Sequence, residues 1–76
     1  MQHAQYDVVK VTAIRRAVSF EPDDTNRRLP RVGDIATIVE VYANPPGYEL
    51  ECSDHEGITE WLLAFRPEDI ELEPVK

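Results

Sequence analysis

The sequence has a single cysteine, Cys52, and no apolar run longer than a few residues. One cysteine cannot form a disulfide within the chain, and a small domain without such crosslinks is typical of the reducing cytoplasm. No segment is long and apolar enough to span a bilayer, and the first six residues lack the basic and then apolar pattern of a secretion signal. These absences predict a soluble cytoplasmic protein that does not bind membranes.

Helical periodicity is also scarce, because no segment repeats its apolar residues with a helical period for more than two turns. Short runs instead alternate apolar and polar residues, which indicates strands. We predict five strands, over Tyr6–Ala13, Ile35–Tyr42, Tyr48–Ser53, Ile58–Phe65 and Ile70–Glu73. Pro67, followed by Glu68 and Asp69, favours a 3₁₀ turn. The predicted fold class is all-β: a five-stranded SH3-like barrel with a long first loop and a single 3₁₀ turn before the last strand.

The chain of 76 residues has room for one domain, with its core expected within about residues 6–73. Folding at this size buries roughly 60% of the surface of the chain, so modest stability is expected. Residues 14–34 form a long charged loop between the first two strands, and such loops are uncommon in small domains unless they serve a purpose. Ala17, Val18 and Phe20 are expected to attach its first half to the core.

The second strand is apolar on both faces, which predicts a bent strand that contributes to two layers of the barrel. Gly33 before this strand and Gly57 in a later turn suit backbone positions with positive φ. Pro46 and Gly47 suit the second and third positions of a type II turn over Pro45–Tyr48. Beyond that turn the third strand alternates, and its acidic residues Glu49 and Glu51 are expected to face water.

Cys52 and His55 have the spacing C-x-x-H, which could hold a nucleophilic cysteine beside an activating histidine. The alternation of the third strand places Cys52 inward with Tyr48 and Leu50, so a small core residue is the favoured interpretation. Adding His3 does not complete a closed set of metal ligands. No metal and no cofactor is predicted.

Two short acidic pairs, Asp54 with Glu56 and Glu68 with Asp69, have the residue types of an acid/base catalyst. In a chain with fifteen acids such pairs arise in turns, where carboxylates interact favourably with backbone dipoles. We interpret them as solvated surface, and we do not expect an enzyme.

The net charge is −7 and is distributed unevenly. Residues 1–31 contain six basic and four acidic side chains, whereas residues 32–76 contain two basic and eleven acidic ones. The acidic half disfavours contact with phosphate backbones and anionic lipids. The basic residues of the first half include a cluster with the chemistry to bind phosphates: Arg15, Arg16, Arg27, Arg28 and Arg31. Salt bridges within the chain or to a partner are the alternative role for this cluster.

Three aromatic residues also allow two interpretations. Tyr42 and Tyr48 flank the proline turn, where exposed tyrosines are typical of binding hot spots, but the two rings could instead stack across the hairpin. Trp61 lies on a central strand and is expected in the core.

The segments "VGDIATIVEVY", "YELEC" and "GITEWLLAFRPEDIELEP" together resemble a family of short bacterial proteins known as a domain of unknown function. Ala36 stands where that family usually has glycine, and the loop at residues 14–30 is longer than usual. The same hairpin looks like the KOW element of SH3-like ribosomal and transcription-factor domains. The resemblance implies an SH3-like barrel and a partnership of the antitoxin or immunity kind, and it implies no catalytic residues.

The leading hypothesis is a non-enzymatic module of the antitoxin or immunity type that binds a basic protein through its acidic half. The residues proposed to contact the partner are Glu49, Glu51, Asp54, Glu56, Glu60, Tyr42 and Tyr48. One alternative is a KOW-like module that contacts RNA through the arginine cluster, although nucleic acid is not the expected partner. Another alternative is an accessory subunit of a larger enzyme complex.

Overall fold

The computed structural model describes residues 3–18 and 25–75, which form one antiparallel sheet of five strands and confirm the all-β prediction. The strands are β1 (Val8–Ile14), β2 (Ile35–Ala43), β3 (Pro46–Ser53), β4 (Thr59–Phe65) and β5 (Ile70–Pro74). Their spatial order is β4-β3-β2-β1-β5, so the first and last strands are neighbours. No helix that could cross a membrane is found in these two ranges.

The strand registers join β1 to β2 and β5, and join β3 to β2 and β4. The two strands at the ends of the sheet, β4 and β5, are not paired with each other in the described part of the chain. Closure of the sheet into an SH3-like barrel therefore stays a prediction, whereas the five antiparallel strands are established.

The core lies on one face of the sheet and draws residues from every strand. Its buried members are Val9, Val11, Ala36, Ile38, Tyr48, Leu50, Cys52, Trp61, Phe65 and Ile70. The rings of Trp61 and Phe65 meet edge to face with their centroids 6.3 Å apart. The inward positions predicted for Leu50, Cys52 and Trp61 are confirmed. Burial of the core as a whole stabilises the fold, since each fully buried large apolar side chain contributes about 1.5–3 kcal/mol.

A bulge in β2 explains why this strand is apolar on both faces. Ile38 pairs with Leu50 and Glu40 pairs with Glu49, so Val39 is the extra residue. The bulge exchanges the two faces of β2: before it Ile38 points inward, and after it Val41 packs against the core. The predicted uninterrupted alternation of β2 is therefore wrong beyond Ile38.

The turn between β2 and β3 lies two residues earlier than predicted. Ala43 pairs with Pro46, which leaves Asn44 and Pro45 as the two-residue turn, joined by a cis peptide bond. A cis proline at this position makes a type VI turn rather than the predicted type II turn. Gly47 consequently lies within β3 and has no positive φ.

Three other turn predictions can be compared with the structure. Gly33 and Gly57 have φ values of 99° and 84°, as their positions in tight turns predicted. The segment before β5 is a single turn closed by the bond from the Asp69 amide to the Arg66 carbonyl (3.0 Å), without a 3₁₀ helix.

The long loop covers the outer edge of β4. Three outward polar groups of the β4 backbone are bonded to this loop. The Glu60 carbonyl accepts from the Arg27 amide (2.8 Å), and the Leu62 amide donates to Asn26 Oδ1 (2.8 Å). The Ala64 carbonyl accepts from Arg16 Nη2 (3.1 Å). An unpaired strand edge is a template for aggregation, so the loop protects the sheet. Val18 packs against the core as predicted, Ala17 is exposed, and Phe20 lies outside the described residues.

Replacing Asn26 with alanine should expose the edge of β4 locally. The Leu62 amide loses its acceptor, so we expect its hydrogen exchange to accelerate and the free energy of unfolding to fall by about 1 kcal/mol. Exchange measured residue by residue by NMR checks this. The variant Arg31→Ala, which truncates an exposed side chain of the same loop, is the control. Unchanged protection of Leu62 in Asn26→Ala would contradict the assigned role.

Candidate functional site

The carboxylate of Asp34, just before β2, binds three segments of the chain. Arg28 contacts it through both terminal nitrogens, with Nη2–Oδ1 at 2.9 Å and Nη1–Oδ2 at 3.0 Å. The indole N–H of Trp61 donates to Oδ2 at 3.0 Å, and the Arg31 amide donates to the same oxygen at 2.8 Å. Arg28 also binds Glu60, with Nη2–Oε1 at 3.0 Å and Nε–Oε2 at 3.2 Å. Arg28, Asp34, Glu60 and Trp61 are named the Asp34 cluster below.

Local sequence explains how Asp34 reaches this position. Its amide donates to the Arg31 carbonyl (3.1 Å) while its carboxylate accepts from the Arg31 amide, so the turn is closed at both ends. Gly33 supplies the positive φ that lets the chain enter β2 directly after this turn. The side chain of Asp34 is thereby held over Trp61.

The electrostatics of the Asp34 cluster favour the charged forms of its members. Burial alone would raise the pKa of Asp34, but the hydrogen bonds from Arg28, the Arg31 amide and Trp61 lower it below its ordinary value. The hydrogen bonds to Asp34 and Glu60 in turn raise the pKa of Arg28. Because these groups are already paired with one another, the cluster anchors the loop to the sheet and leaves few free acceptors for chemistry.

Asp34→Asn should test the anchoring role. The substitution leaves Arg28 partly buried with Glu60 as its remaining carboxylate partner, so we expect a loss of about 2–3 kcal/mol in the free energy of unfolding. Urea denaturation followed by the fluorescence of Trp61 measures it. Glu56→Gln, which neutralises an exposed acid, should change stability by less than about 0.5 kcal/mol. Equal effects of the two substitutions would contradict the anchor.

The same cluster predicts acid sensitivity. The pKa values of Asp34 and Glu60 lie below their ordinary values of 3.8 and 4.5, so protons bind the unfolded chain first on acidification. The stabilisation is present above the ordinary values and is lost as the pH falls through the lowered ones. In Arg28→Met the free energy of unfolding should change less with pH, because the side chain that lowers the pKa values of Asp34 and Glu60 is gone. Urea midpoints of the wild type and Arg28→Met, measured between about pH 3 and pH 6, test this prediction. Parallel curves of midpoint against pH for the two proteins would contradict the assignment.

The predicted arginine cluster is divided among separate ion pairs. Arg15 binds Glu71 at 2.7 Å, and Arg16 lies 3.8 Å from Asp69 with its guanidinium 5.1 Å from the centroid of the Phe65 ring. Arg28 belongs to the Asp34 cluster. Arg27 and Arg31 have exposed side chains. The alternative of salt bridges within the chain is thus confirmed for three of the five arginines.

Cys52 and His55 do not form a catalytic pair. Cys52 is 4% exposed in the core, and burial raises the pKa of its thiol, whereas His55 is exposed in the turn between β3 and β4. Within residues 3–18 and 25–75, no group of three or more His, Cys, Asp or Glu side chains is placed to hold a metal ion.

Three of the predicted contact residues have bonds that support the fold, and a fourth is buried. Asp54 closes the turn after β3 by accepting from the amides of Glu56 (2.8 Å) and Ile58 (3.0 Å), which lower the pKa of its carboxyl group. Glu51 accepts from the Thr59 hydroxyl, and Glu60 belongs to the Asp34 cluster. Tyr48 is 4% exposed. Its interpretation as an exposed hot spot is wrong, because it lies on the core face of β3.

Tyr48 also does not stack on Tyr42. Tyr48 is opposite Val41, whereas Tyr42 is opposite Gly47 on the other face of the hairpin. The ring of Tyr48 instead meets His3 edge to face, with the centroids 5.6 Å apart. The register set by the turn at Asn44–Pro45 therefore places the two tyrosines on opposite faces of the hairpin.

An acidic surface remains on the outer face of β2 and β3. Glu40 and Glu49 are directly opposite each other in the ladder, and Tyr42 donates its hydroxyl to Glu49. This hydrogen bond, together with burial and the charges of both carboxylates, raises the pKa of Tyr42. In the described part of the chain, neither glutamate forms an ion pair with a basic side chain. Glu40, Tyr42 and Glu49 are named the Tyr42 face below.

Glu40 is not among the contact residues predicted from the sequence. Its signal was present, because Glu40 is the one charged residue within β2 and is two positions from Tyr42. What was missing was its partner across the ladder, which the register set by the Asn44–Pro45 turn determines. Among the predicted contact residues, Tyr42 and Glu49 lie on the Tyr42 face, and Glu56 lies apart in the exposed turn after β3.

A shallow groove of about 330 Å³ borders the Tyr42 face. It is lined by Tyr42, by the Asn44–Gly47 segment, and by Ala64 and Phe65 together with Arg16 and Arg66. We name it the proline-turn groove.

The comparisons with known proteins bear on this region. A family described as Domain of unknown function (DUF4926) matches residues 23–72, well over half of the chain. The chain belongs to this family. The DUF4926 match covers the Asp34 cluster, the Tyr42 face and the whole of β2, β3 and β4. No curated protein and no solved structure matches the chain, so the function has to be argued from the geometry of these residues.

Proposed function

We propose that the protein is a non-enzymatic module that binds a basic protein through the Tyr42 face. The observation that carries this proposal is the pair Glu40 and Glu49, two carboxylates opposite each other that have no ion-pair partner among the described residues. Like charges directly opposite in a sheet are destabilising, so a basic side chain arriving from a partner relieves this repulsion on binding. Tyr42 adds exposed aromatic area of the kind enriched at binding hot spots.

The distribution of charge supports the same proposal. Three arginines of the loop, Arg15, Arg16 and Arg28, are engaged with Asp34, Glu60, Asp69 and Glu71, whereas the carboxylates of the Tyr42 face have no ion-pair partner among the described residues. Opposite charge on a partner accelerates encounter and discourages wrong partners. An antitoxin or immunity role toward a basic, nuclease-type protein fits this sign. Contact with nucleic acid has less support, because three of the five candidate arginines are already paired.

A cytoplasmic location is part of this proposal. It is supported by the free thiol of Cys52, which has no cysteine to pair with, since disulfide-free small domains are typical of reducing compartments.

Glu40→Lys should weaken binding while it strengthens the fold. The substitution places a lysine opposite Glu49, which replaces repulsion with attraction and adds about 0.2–1 kcal/mol to the free energy of unfolding. Capture of partners from the native lysate, at low and high salt, should yield a basic protein that the wild type binds in a salt-sensitive way and Glu40→Lys does not.

Glu56→Lys is the matched control, since it makes the same change of charge at an exposed site away from the Tyr42 face. This variant should retain the partner nearly as well as the wild type. Equal loss of the partner in Glu40→Lys and Glu56→Lys would mean that binding depends on net charge alone and not on the Tyr42 face. The absence of any salt-sensitive partner would contradict the proposal as a whole.

A further inference from the structure

Tyr42 is held in place at both ends of its ring. The ring lies over Gly47, where an added Cβ would come within 3.8 Å of Tyr42 Cδ2 and 3.0 Å of the Phe65 carbonyl oxygen. The approach to the Phe65 carbonyl oxygen is tight, so a side chain at this position would force β3 and β4 apart slightly, whereas 3.8 Å from the Tyr42 ring is ordinary van der Waals contact. At the other end the hydroxyl is bonded to Glu49. The ring is nevertheless 40% exposed, so it offers a fixed aromatic surface to the solvent.

The charges around this ring select a cationic ligand. Glu40 and Glu49 lie on the same face as the ring and are not ion-paired within the described residues. The two arginines that line the proline-turn groove, Arg16 and Arg66, are balanced by two carboxylates: Asp69 lies 3.2 Å from Arg66 and 3.8 Å from Arg16, and Glu68 lies 3.9 Å from Arg66. The charge without an ion-pair partner beside the groove, among the described residues, is therefore that of Glu40 and Glu49 on the Tyr42 face.

The groove itself suits an extended segment of polypeptide. Its lining is largely apolar, and Pro45 and Pro46 beside Tyr42 are exposed to water. The groove is open to solvent, and open apolar grooves lined by aromatic and proline side chains suit extended chains better than compact small molecules. An apolar side chain in the groove would lie next to a cation on the Tyr42 face.

We propose that the proline-turn groove receives an extended, arginine-containing segment of the basic partner, with the guanidinium on the Tyr42 ring between Glu40 and Glu49. Arginine fits better than lysine because its planar group stacks on an aromatic ring and forks onto carboxylates. The neighbouring apolar residue of the segment occupies the groove. This inference rests on the proposed function and identifies the part of the partner that the Tyr42 face recognises.

The direct test is an NMR titration of the ¹⁵N-labelled protein with the capped peptide acetyl-Ala-Pro-Leu-Arg-Pro-Ala-amide. We expect saturable shifts at the amides of Tyr42, Gly47, Glu49 and Ala64. The same peptide with citrulline, which keeps the shape of arginine without its charge, should bind about fivefold more weakly or worse, and the lysine peptide should fall between them. No saturable shift at these amides up to about 1 mM peptide would overturn the inference.

Two variants of the groove complete the test. Tyr42→Leu removes the aromatic surface, and Ala64→Gln fills the groove without a change of charge. Both substitutions should weaken binding of the arginine peptide about fivefold or more. Leu62→Gln, on the same face of β4 but outside the groove, is the control. The amide spectrum of each variant shows whether it is folded. Equal binding of the arginine peptide by wild type and the two groove variants would overturn the inference.

The partner captured from the lysate separates this inference from the proposed function. If Glu40→Lys loses the partner while Tyr42→Leu and Ala64→Gln keep it, the acidic surface binds but the groove does not, and only the inference fails. If all three variants keep the partner, both proposals fail. Loss of the partner in all three, with retention in Leu62→Gln, supports both.

Discussion

The bond between Arg28 and the carboxylate of Asp34 joins the parts of this protein that the sheet alone would leave separate. Through it the long loop is attached to the start of β2, and through Trp61 and Glu60 the same cluster reaches β4 and the core. With the loop in this position, its residues 26 and 27 and Arg16 pair with the polar groups along the edge of β4. A small domain buries little surface, so an anchor that both orders a loop and protects an edge matters more here than in a larger protein.

Much of the fold follows from alternation in the sequence. The existence and approximate bounds of the five strands, and the inward positions of Leu50, Cys52 and Trp61, come from which residues alternate. The bulge at Val39 and the turn at Asn44–Pro45 do not, because both depend on how β2 pairs with β3. A shift of one residue exchanges the faces of a strand, and for that reason Val41 packs against the core beyond the bulge. The inward position of Tyr48, in contrast, follows from the alternation of β3 alone.

The site was harder to predict than the fold, and the reason is the pairing of charges. In sequence, Arg28 and Glu60 are 32 residues apart and Arg15 and Glu71 are 56 apart, so nothing local shows that they neutralise each other. Glu49 and Tyr42 could be selected from the hairpin pattern alone. Glu40 gains its meaning only from the register that places it opposite Glu49.

The position of the uncompensated charge then follows from the fold. Acids near the loop meet its arginines, whereas the outer face of the β2–β3 hairpin lies where no basic residue of the described chain forms an ion pair with Glu40 or Glu49. A lysine at either position would stabilise the ladder, so the sequence forgoes a gain in stability at this point. Surfaces that sacrifice stability in this way are typical of binding sites, and here the surface adjoins an exposed tyrosine fixed over a glycine. The same residues that make the hairpin less stable than it could be therefore make it a site for a basic side chain.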